Sequence, residues 1–166
     1  MGDMWKLALL VIATPLFAAC DAERQLLTQR FGAHVTLEAT KPCAVRADFN
    51  GDGTQDVAML VRIASEPSAL PATITRANPF ARAGKFTGKK RGLAIAISFE
   101  GATPKLFLLS DGEFFSSPMW QSPNELLSKI AKPKKDYLGV ATESGADLRM
   151  YWTGGAWKVE APTEAP

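Results

Sequence analysis

The sequence predicts an α+β domain in which a single, mainly antiparallel sheet of about six to seven strands packs with two short helices. Short apolar segments follow one another through brief turns along most of the chain, and only two segments have a helical pattern. The 166 residues, 46% of them apolar and 22% charged, suit one globular domain. We therefore expect a domain over residues 20–166, preceded by a signal peptide at 1–19 and ending in a disordered tail at 161–166.

Two segments combine helical periodicity with end signals. Residues 21–31 place apolar side chains on one side, and Gly32 stands just past the end, where glycine commonly terminates a helix. We expect the second helix over residues 123–131. There Ser122 suits the N-cap, proline occupies the first helical position and Glu125 completes a capping box.

Strands are indicated by alternating or continuous apolar runs bounded by turn residues. Between Leu93 and Phe99, large apolar residues alternate with small ones, which gives this strand one large and one small face. Since a small face lets a helix approach closely, we expect the helix at 21–31 to pack there. A turn containing Gly154 and Gly155 joins the last two strands as a hairpin. The expected strands are 35–40, 56–64, 93–99, 105–109, 138–142, 148–152 and 157–159.

The N-terminal residues are typical of an export signal. Residues 5–19 form an apolar run with one lysine near its start and small residues at its end, too short to span a bilayer comfortably. The end of this run, Ala18-Ala19-Cys20, resembles the lipobox of bacterial lipoproteins. The resemblance implies cleavage before Cys20, acylation of that cysteine and a lipid anchor on the periplasmic side of a bacterial membrane.

Two alternatives to the lipid anchor stay open. An uncleaved apolar segment would itself anchor the protein in the membrane. In a soluble periplasmic protein, Cys20 would instead pair with Cys43, because an oxidising compartment permits disulfides. Acylation and disulfide formation exclude each other, since both need the same sulfur atom.

The segment from Asp48 to Asp56, Asp-Phe-Asn-Gly-Asp-Gly-Thr-Gln-Asp, has the spacing of a calcium loop. Side-chain oxygens at the first, third and fifth positions converge when the backbone coils around one centre, and glycine at the sixth position permits the sharp turn. Carboxylate and carbonyl oxygens of this kind suit Ca²⁺ better than Zn²⁺. The predicted ligands are the side chains of Asp48, Asn50, Asp52 and Asp56 and the backbone carbonyl of Thr54.

The loop is not an EF-hand, because Met59 stands at the twelfth position, where an EF-hand has glutamate, and a strand follows. It resembles instead the calcium-binding hairpin of FG-GAP or VCBS-type repeats, Asp-x-Asn-x-Asp-Gly-x-x-Asp followed at once by an apolar strand. The resemblance covers residues 47–61 and occurs once, so it implies a single hairpin on another sheet rather than a propeller. The alternative is a metal-free turn, since Asp, Asn and Gly are common turn residues.

A second candidate site is a basic segment within a long loop expected at 65–90. The sequence from residue 76 to residue 91 contains basic residues and no acidic residue, with Phe80 and Phe86 among them. Such a patch suits an anionic envelope polymer or lipid head groups. The alternative is a solvated insert whose charge maintains solubility. The basic residues are Arg76, Arg82, Lys85, Lys89, Lys90 and Arg91.

Charge and motifs exclude several classes of function. The net charge of +2 and the export signal argue against a nucleic acid partner. His34 is the single histidine, and the chain has no Gly-x-Ser-x-Gly motif, phosphate-binding glycine loop or Cys/His metal spacing. We therefore expect a calcium-binding, non-catalytic envelope protein, a structural or interaction module whose partner is an envelope protein or an anionic polymer. The alternative is a cell-wall or polysaccharide hydrolase that uses a pair of carboxylates.

Overall fold

The computed structural model describes residues 20–38, 42–64, 70–79, 92–110, 127–141 and 148–160. The signal peptide expected at 1–19 and the tail expected at 161–166 lie outside these residues. Within the described ranges the chain forms helix α1 (Asp21–Phe31), a short 3-10 helix (Gly32–His34) and ten strands. The strands are β1 (Val35–Leu37), β2 (Val45–Ala47), β3 (Asp56–Ile63), β4 (Ile74–Ala77), β5 (Leu93–Phe99), β6 (Lys105–Leu109), β7 (Leu127–Ile130), β8 (Tyr137–Val140), β9 (Leu148–Trp152) and β10 (Trp157–Glu160).

The strands form two sheets. Sheet A has six strands in the order β1-β3-β5-β6-β4, and β2 pairs with β3 next to β1 on the same edge. Its neighbouring strands are antiparallel except β4 and β6, which are parallel. Sheet B is an antiparallel meander of four strands in the order β10-β9-β8-β7.

Both faces of sheet A are buried, which explains the continuous apolar run of β3. On one face, Leu27 and Phe31 of α1 pack in a cluster with Ala94 and Ala96 of β5, so the expected place of the helix is confirmed. The large side chains of β5, such as Ile97, belong to a second cluster shared with sheet B. The layers are therefore helix, sheet A and sheet B.

The predicted single sheet with two helices is wrong, because the described residues form two separate sheets and one α-helix. A short turn between two strands has the same appearance in sequence whether the next strand extends the sheet or folds back across it. Tertiary packing decides between these outcomes. The apolar face of β3 and β5 that does not pack against α1 must also be shielded from water, and sheet B packs on it.

The second predicted helix is also wrong where the structure describes it, because residues 127–130 form strand β7. This strand pairs with β8, with Leu127 opposite Val140 and Ile130 opposite Tyr137. Leu127 is buried in the cluster between the sheets. Pairing with β8 satisfies the backbone groups of this segment and overrides the capping signals before it. The start of the expected helix, at 123–126, lies outside the described residues.

The remaining expected strands are present, with ends that differ by up to about three residues from the prediction. The hairpin expected at Gly154 and Gly155 is confirmed by the pairing of Trp157 with Trp152. Strand β4 lies inside the loop expected at 65–90, and the three-residue strand β2 has no counterpart in the prediction. No helix in the described part of the chain is long and apolar enough to cross a membrane.

Candidate functional site

The predicted calcium loop forms the connection between β2 and β3. These strands are antiparallel and pair Ala47 with Asp56, so the loop is the end of a hairpin on sheet A. Gly51 and Gly53 have φ angles of 81° and 86°, in the left-handed region that favours glycine. The sharp turn expected at the sixth position is therefore confirmed at Gly53.

The backbone of the loop coils around the carboxylate of Asp48. The Oδ1 atom of Asp48 accepts hydrogen bonds from the N–H groups of Gly51 at 2.7 Å and Asp52 at 3.1 Å. Its Oδ2 atom accepts a further hydrogen bond from the N–H of Gly53 at 2.9 Å. Three successive amides thus fix the first predicted ligand with respect to the turn.

The third and fifth positions lie in the same coil. Asn50 Oδ1 accepts the N–H of Asp52 at 2.8 Å, and Asn50 Nδ2 donates to Asp52 Oδ2 at 2.9 Å. The N–H of Thr54 donates to Asp52 Oδ1 at 2.7 Å. This N–H, together with the Asn50 amide, lowers the pKa of the Asp52 carboxyl, which is fully exposed and ionised at neutral pH. The loop therefore presents acidic and amide oxygens to solvent.

Asp56 has a different environment from the other predicted ligands. Its side chain is fully buried, and Oδ2 accepts the N–H groups of Phe49 at 2.9 Å and Asn50 at 3.3 Å. Its Oδ1 atom accepts the N–H of Glu100, at the end of β5, at 3.0 Å. Asp56 thus holds the loop against the neighbouring strand.

In the described ranges, no group of three or more His, Cys, Asp or Glu side chains is arranged to hold a metal ion.

The buried carboxyl of Asp56 predicts a pH dependence of stability in calcium-free buffer. Burial raises its pKa to about 6, although three N–H donors favour the ionised form. In the unfolded chain the pKa is about 4, so between these values the folded protein holds a proton that the unfolded chain has released. Raising the pH through this window therefore lowers the free energy of unfolding, by at most about 1.4 kcal/mol per pH unit.

Urea unfolding of the wild type and of Asp56→Asn between about pH 4 and 6 tests this expectation. The variant is less stable overall, because an amide nitrogen cannot accept a backbone N–H. It lacks the titratable group, so the fall in stability with rising pH should be much smaller. Equal pH slopes for the two proteins would contradict the assignment.

Contacts outside the predicted ligand set connect the loop to sheet B. Phe49, at the second position, is fully buried, and its ring packs edge-on against Trp157 with centroids 6.2 Å apart. The N–H of Asp136 donates to the carbonyl of Asp48 at 2.7 Å, and the N–H of Asp48 donates to Asp136 Oδ2 at 3.3 Å. The motif contains no signal for Asp136, because it lies 88 residues further along the chain.

Lysine side chains surround the turn between β7 and β8, which lies next to the loop. Lys129 Nζ is 3.6 Å from Asp136 Oδ2, and Lys132 Nζ lies 5.5 Å from the ring centroid of Tyr137. Lys135 donates to the carbonyl of Trp152. A Cβ atom at Gly51 would lie 3.1 Å from the carbonyl oxygen of Lys134, so the loop and the turn are in close contact.

An open groove of about 310 Å³ lies beside the loop. The loop contributes Asn50 and Asp52 to one wall, and Trp152 from the end of β9 forms another. The chain from the end of β5 to the start of β6 completes the groove with Glu100 and Lys105. Among the described residues that line the groove, Glu100 is the one carboxylate outside the loop, and Arg30 pairs with its Oε2 atom at 2.8 Å.

The structure describes one residue of the predicted basic patch. Arg76 lies in β4 opposite Leu108 and is partly buried, and burial lowers the pKa of its guanidinium group. Arg76 is therefore part of a sheet and not of an exposed loop. The other five predicted residues, Arg82, Lys85, Lys89, Lys90 and Arg91, lie outside the described residues.

Cys20, the predicted lipidation residue, forms a disulfide with Cys43, with the two Cα atoms 5.6 Å apart. The structure thus has the disulfide that was the alternative to acylation of Cys20. The bond connects the start of α1 to the segment before β2.

Comparison with known proteins found no matching family model, no matching curated protein and no matching solved structure. The assignment of a function therefore depends on the chemistry of the loop and of the groove beside it.

Proposed function

We propose that the chain is a calcium-binding, non-catalytic module of the bacterial envelope, with one hairpin loop of the FG-GAP or VCBS type. The observation that supports this proposal most directly is the coiled loop itself. Three successive amides fix the carboxylate of Asp48, while Asn50 and the ionised Asp52 lie in the same exposed turn. Oxygen donors of this kind are the ligands that Ca²⁺ prefers.

The residues that would hold the ion are Asp48, Asn50 and Asp52 by their side chains and Thr54 by its carbonyl. Asp56 is the fifth predicted ligand, and its carboxylate also anchors the loop to the backbone. Without a cation, the carboxylates of one short loop repel each other. Ca²⁺ supplies the positive charge that offsets this repulsion.

The position of the loop suggests what the ion does. Phe49 and Asp136 connect the loop to sheet B, and β2 and β3 connect it to sheet A. An ion that rigidifies the loop would therefore stabilise the packing of one sheet on the other. We propose a structural role for calcium, with an affinity typical of extracellular modules, about 10⁻⁴ to 10⁻³ M.

Thermal unfolding with and without Ca²⁺ tests the proposal. With that affinity, about 10 mM Ca²⁺ should raise the free energy of unfolding by about 1.4–2.7 kcal/mol, because the ion binds the folded state alone. Asp52→Ala removes an exposed ligand and should abolish the increase in melting temperature.

Asp21→Asn is the matched control, since it removes one exposed carboxylate from the start of α1, far along the chain from the loop. This variant should keep the full response to calcium. A wild-type melting temperature that is the same in Ca²⁺ and in chelator contradicts calcium binding. A response that persists in Asp52→Ala places the ion elsewhere.

The hydrolase alternative needs two facing carboxylates outside the calcium loop. In the part of the groove that the structure describes, Glu100 is the only such group, and its partner is Arg30. No observation at this groove favours hydrolysis, and we do not propose it.

A further inference from the structure

The groove beside the loop has walls of different chemistry. Trp152 is partly buried and is held by three neighbouring rings, with centroid distances of 5.0 Å to Phe107, 5.5 Å to Phe99 and 5.8 Å to Trp157. It lines the groove in this fixed position. A rigid aromatic wall with polar groups around it is typical of ligand sites, and the volume is at the lower end of their range of about 300–1,000 Å³.

The polar groups of the groove suit a ligand with hydroxyl groups. Asn50, Asp52 and Thr103 supply donors and acceptors. The aliphatic C–H face of a sugar ring packs well on an indole ring, because the face of the indole is electron-rich. A small groove with one tryptophan and several hydrogen-bonding groups therefore fits a single sugar unit.

With calcium bound in the loop, charge would favour an acidic sugar over a neutral one. Lys105 is exposed at the start of β6, and among the described residues it is the one cationic side chain that lines the groove. Arg30 pairs with the Oε2 atom of Glu100 and so offsets the negative charge of this carboxylate, while its Oε1 atom is buried and has no hydrogen-bond partner among the described residues. The remaining charge in the described part of the lining is the carboxylate of Asp52, a proposed calcium ligand.

The carboxylate of Asp52 alone would repel an anionic ligand. Calcium bound in the loop would replace this repulsion by attraction. Ca²⁺ takes six to eight oxygen ligands, and the loop offers five residues. If each residue gave one oxygen, the ion would have coordination positions left for water or for ligand oxygens. An ion held partly by Asp52 would lie beside the groove, since Asp52 belongs to its wall.

We propose that the groove binds one acidic sugar unit of a polysaccharide, with the ring on Trp152, the carboxylate on Lys105 and oxygen atoms on the calcium ion. This inference rests on the proposed calcium site. It identifies the anionic envelope partner as a polymer of uronic acids, and it places the contact at the loop rather than at the basic segment after β4.

Isothermal titration calorimetry with digalacturonic acid tests the inference, with galactobiose as the neutral comparison. Wild-type protein in Ca²⁺ should bind the acidic disaccharide and should bind galactobiose at least about tenfold more weakly. Lys105→Ala should weaken binding of the acid at least about tenfold, and exchange of Ca²⁺ for chelator should have a similar effect. Lys158→Ala is the matched control, because Lys158 is exposed on β10 and does not line the groove.

Each result has a separate meaning. If calcium raises the melting temperature but the acidic disaccharide does not bind, the inference is wrong and the proposed function stands. Equal binding by wild type and Lys105→Ala, equal binding of the two sugars, or binding unaffected by chelator also overturns the inference. A melting temperature that does not respond to calcium overturns the proposed function itself.

Discussion

Replacing Phe49 with alanine should lower the free energy of unfolding by about 3–5 kcal/mol, the usual cost of truncating a buried aromatic side chain. Phe49 has no exposed surface although it stands within a surface loop. Its ring fills space between the sheets and packs on Trp157, which in turn contacts Phe99, Phe107 and Trp152. The loss is large because the cavity opens inside this aromatic cluster, where the neighbours cannot collapse freely.

Urea unfolding with an unchanged m-value measures this effect as a shift in midpoint. Phe49→Leu is the matched variant, since it keeps most of the apolar volume and should retain the larger part of the stability. The same variants test the link between loop and core. Phe49→Ala should also reduce the calcium-dependent rise in melting temperature. A loss below about 1 kcal/mol would mean that the ring is not buried in solution.

Breaking the Cys20–Cys43 disulfide is the second change with a large expected effect. The bond closes a chain segment with a sequence separation of 23 residues, and removing such a crosslink costs about 3 kcal/mol through the greater freedom of the unfolded chain. Cys43→Ser, or wild type in reducing agent, should therefore melt at a lower temperature. Helix α1 should unfold before the rest of the domain, because the bond connects the start of this helix to the segment before β2.

Mass spectrometry of the purified protein provides the accompanying measurement. A disulfide gives a mass two hydrogens below that of the reduced chain, and Cys20 and Cys43 appear in one linked peptide after digestion. Thr36→Ala, an exposed change in β1, is the stability control. A diacylglyceryl group on Cys20, or a melting temperature unaffected by reduction, would contradict the disulfide.

Local pattern was enough to locate most elements. Strands β6 and β9 have the predicted ends, and β3 begins at the predicted Asp56. These segments have strong apolar periodicity and end at polar turn residues, so the local signal and the tertiary environment agree. The small face of β5 even predicted its helical neighbour. Strand β2 was missed because three residues with one arginine carry too little pattern.

The candidate site was predictable only in part, because some of its properties depend on residues far apart in the sequence. The spacing from Asp48 to Asp56 encodes a coil of backbone around side-chain oxygens, and this is a local property. Burial depends on segments far apart in the sequence, so the motif does not indicate that Asp56 is buried while other positions of the same motif are exposed. Asp136 contacts the loop from the turn before β8, Trp152 and Lys105 line the groove beside it, and no spacing in the sequence connects these residues with the loop.

The sequence by itself determined helix α1, seven of the ten described strands, the hairpin loop with its oxygen donors and the two cysteines. Only the tertiary structure decided that the strands divide into two sheets, that residues 127–130 form a strand and that the cysteines pair. The physical reason is the range of the interactions. Turns and periodicity depend on neighbours in the chain, whereas the cover of a second apolar face depends on segments far apart in sequence.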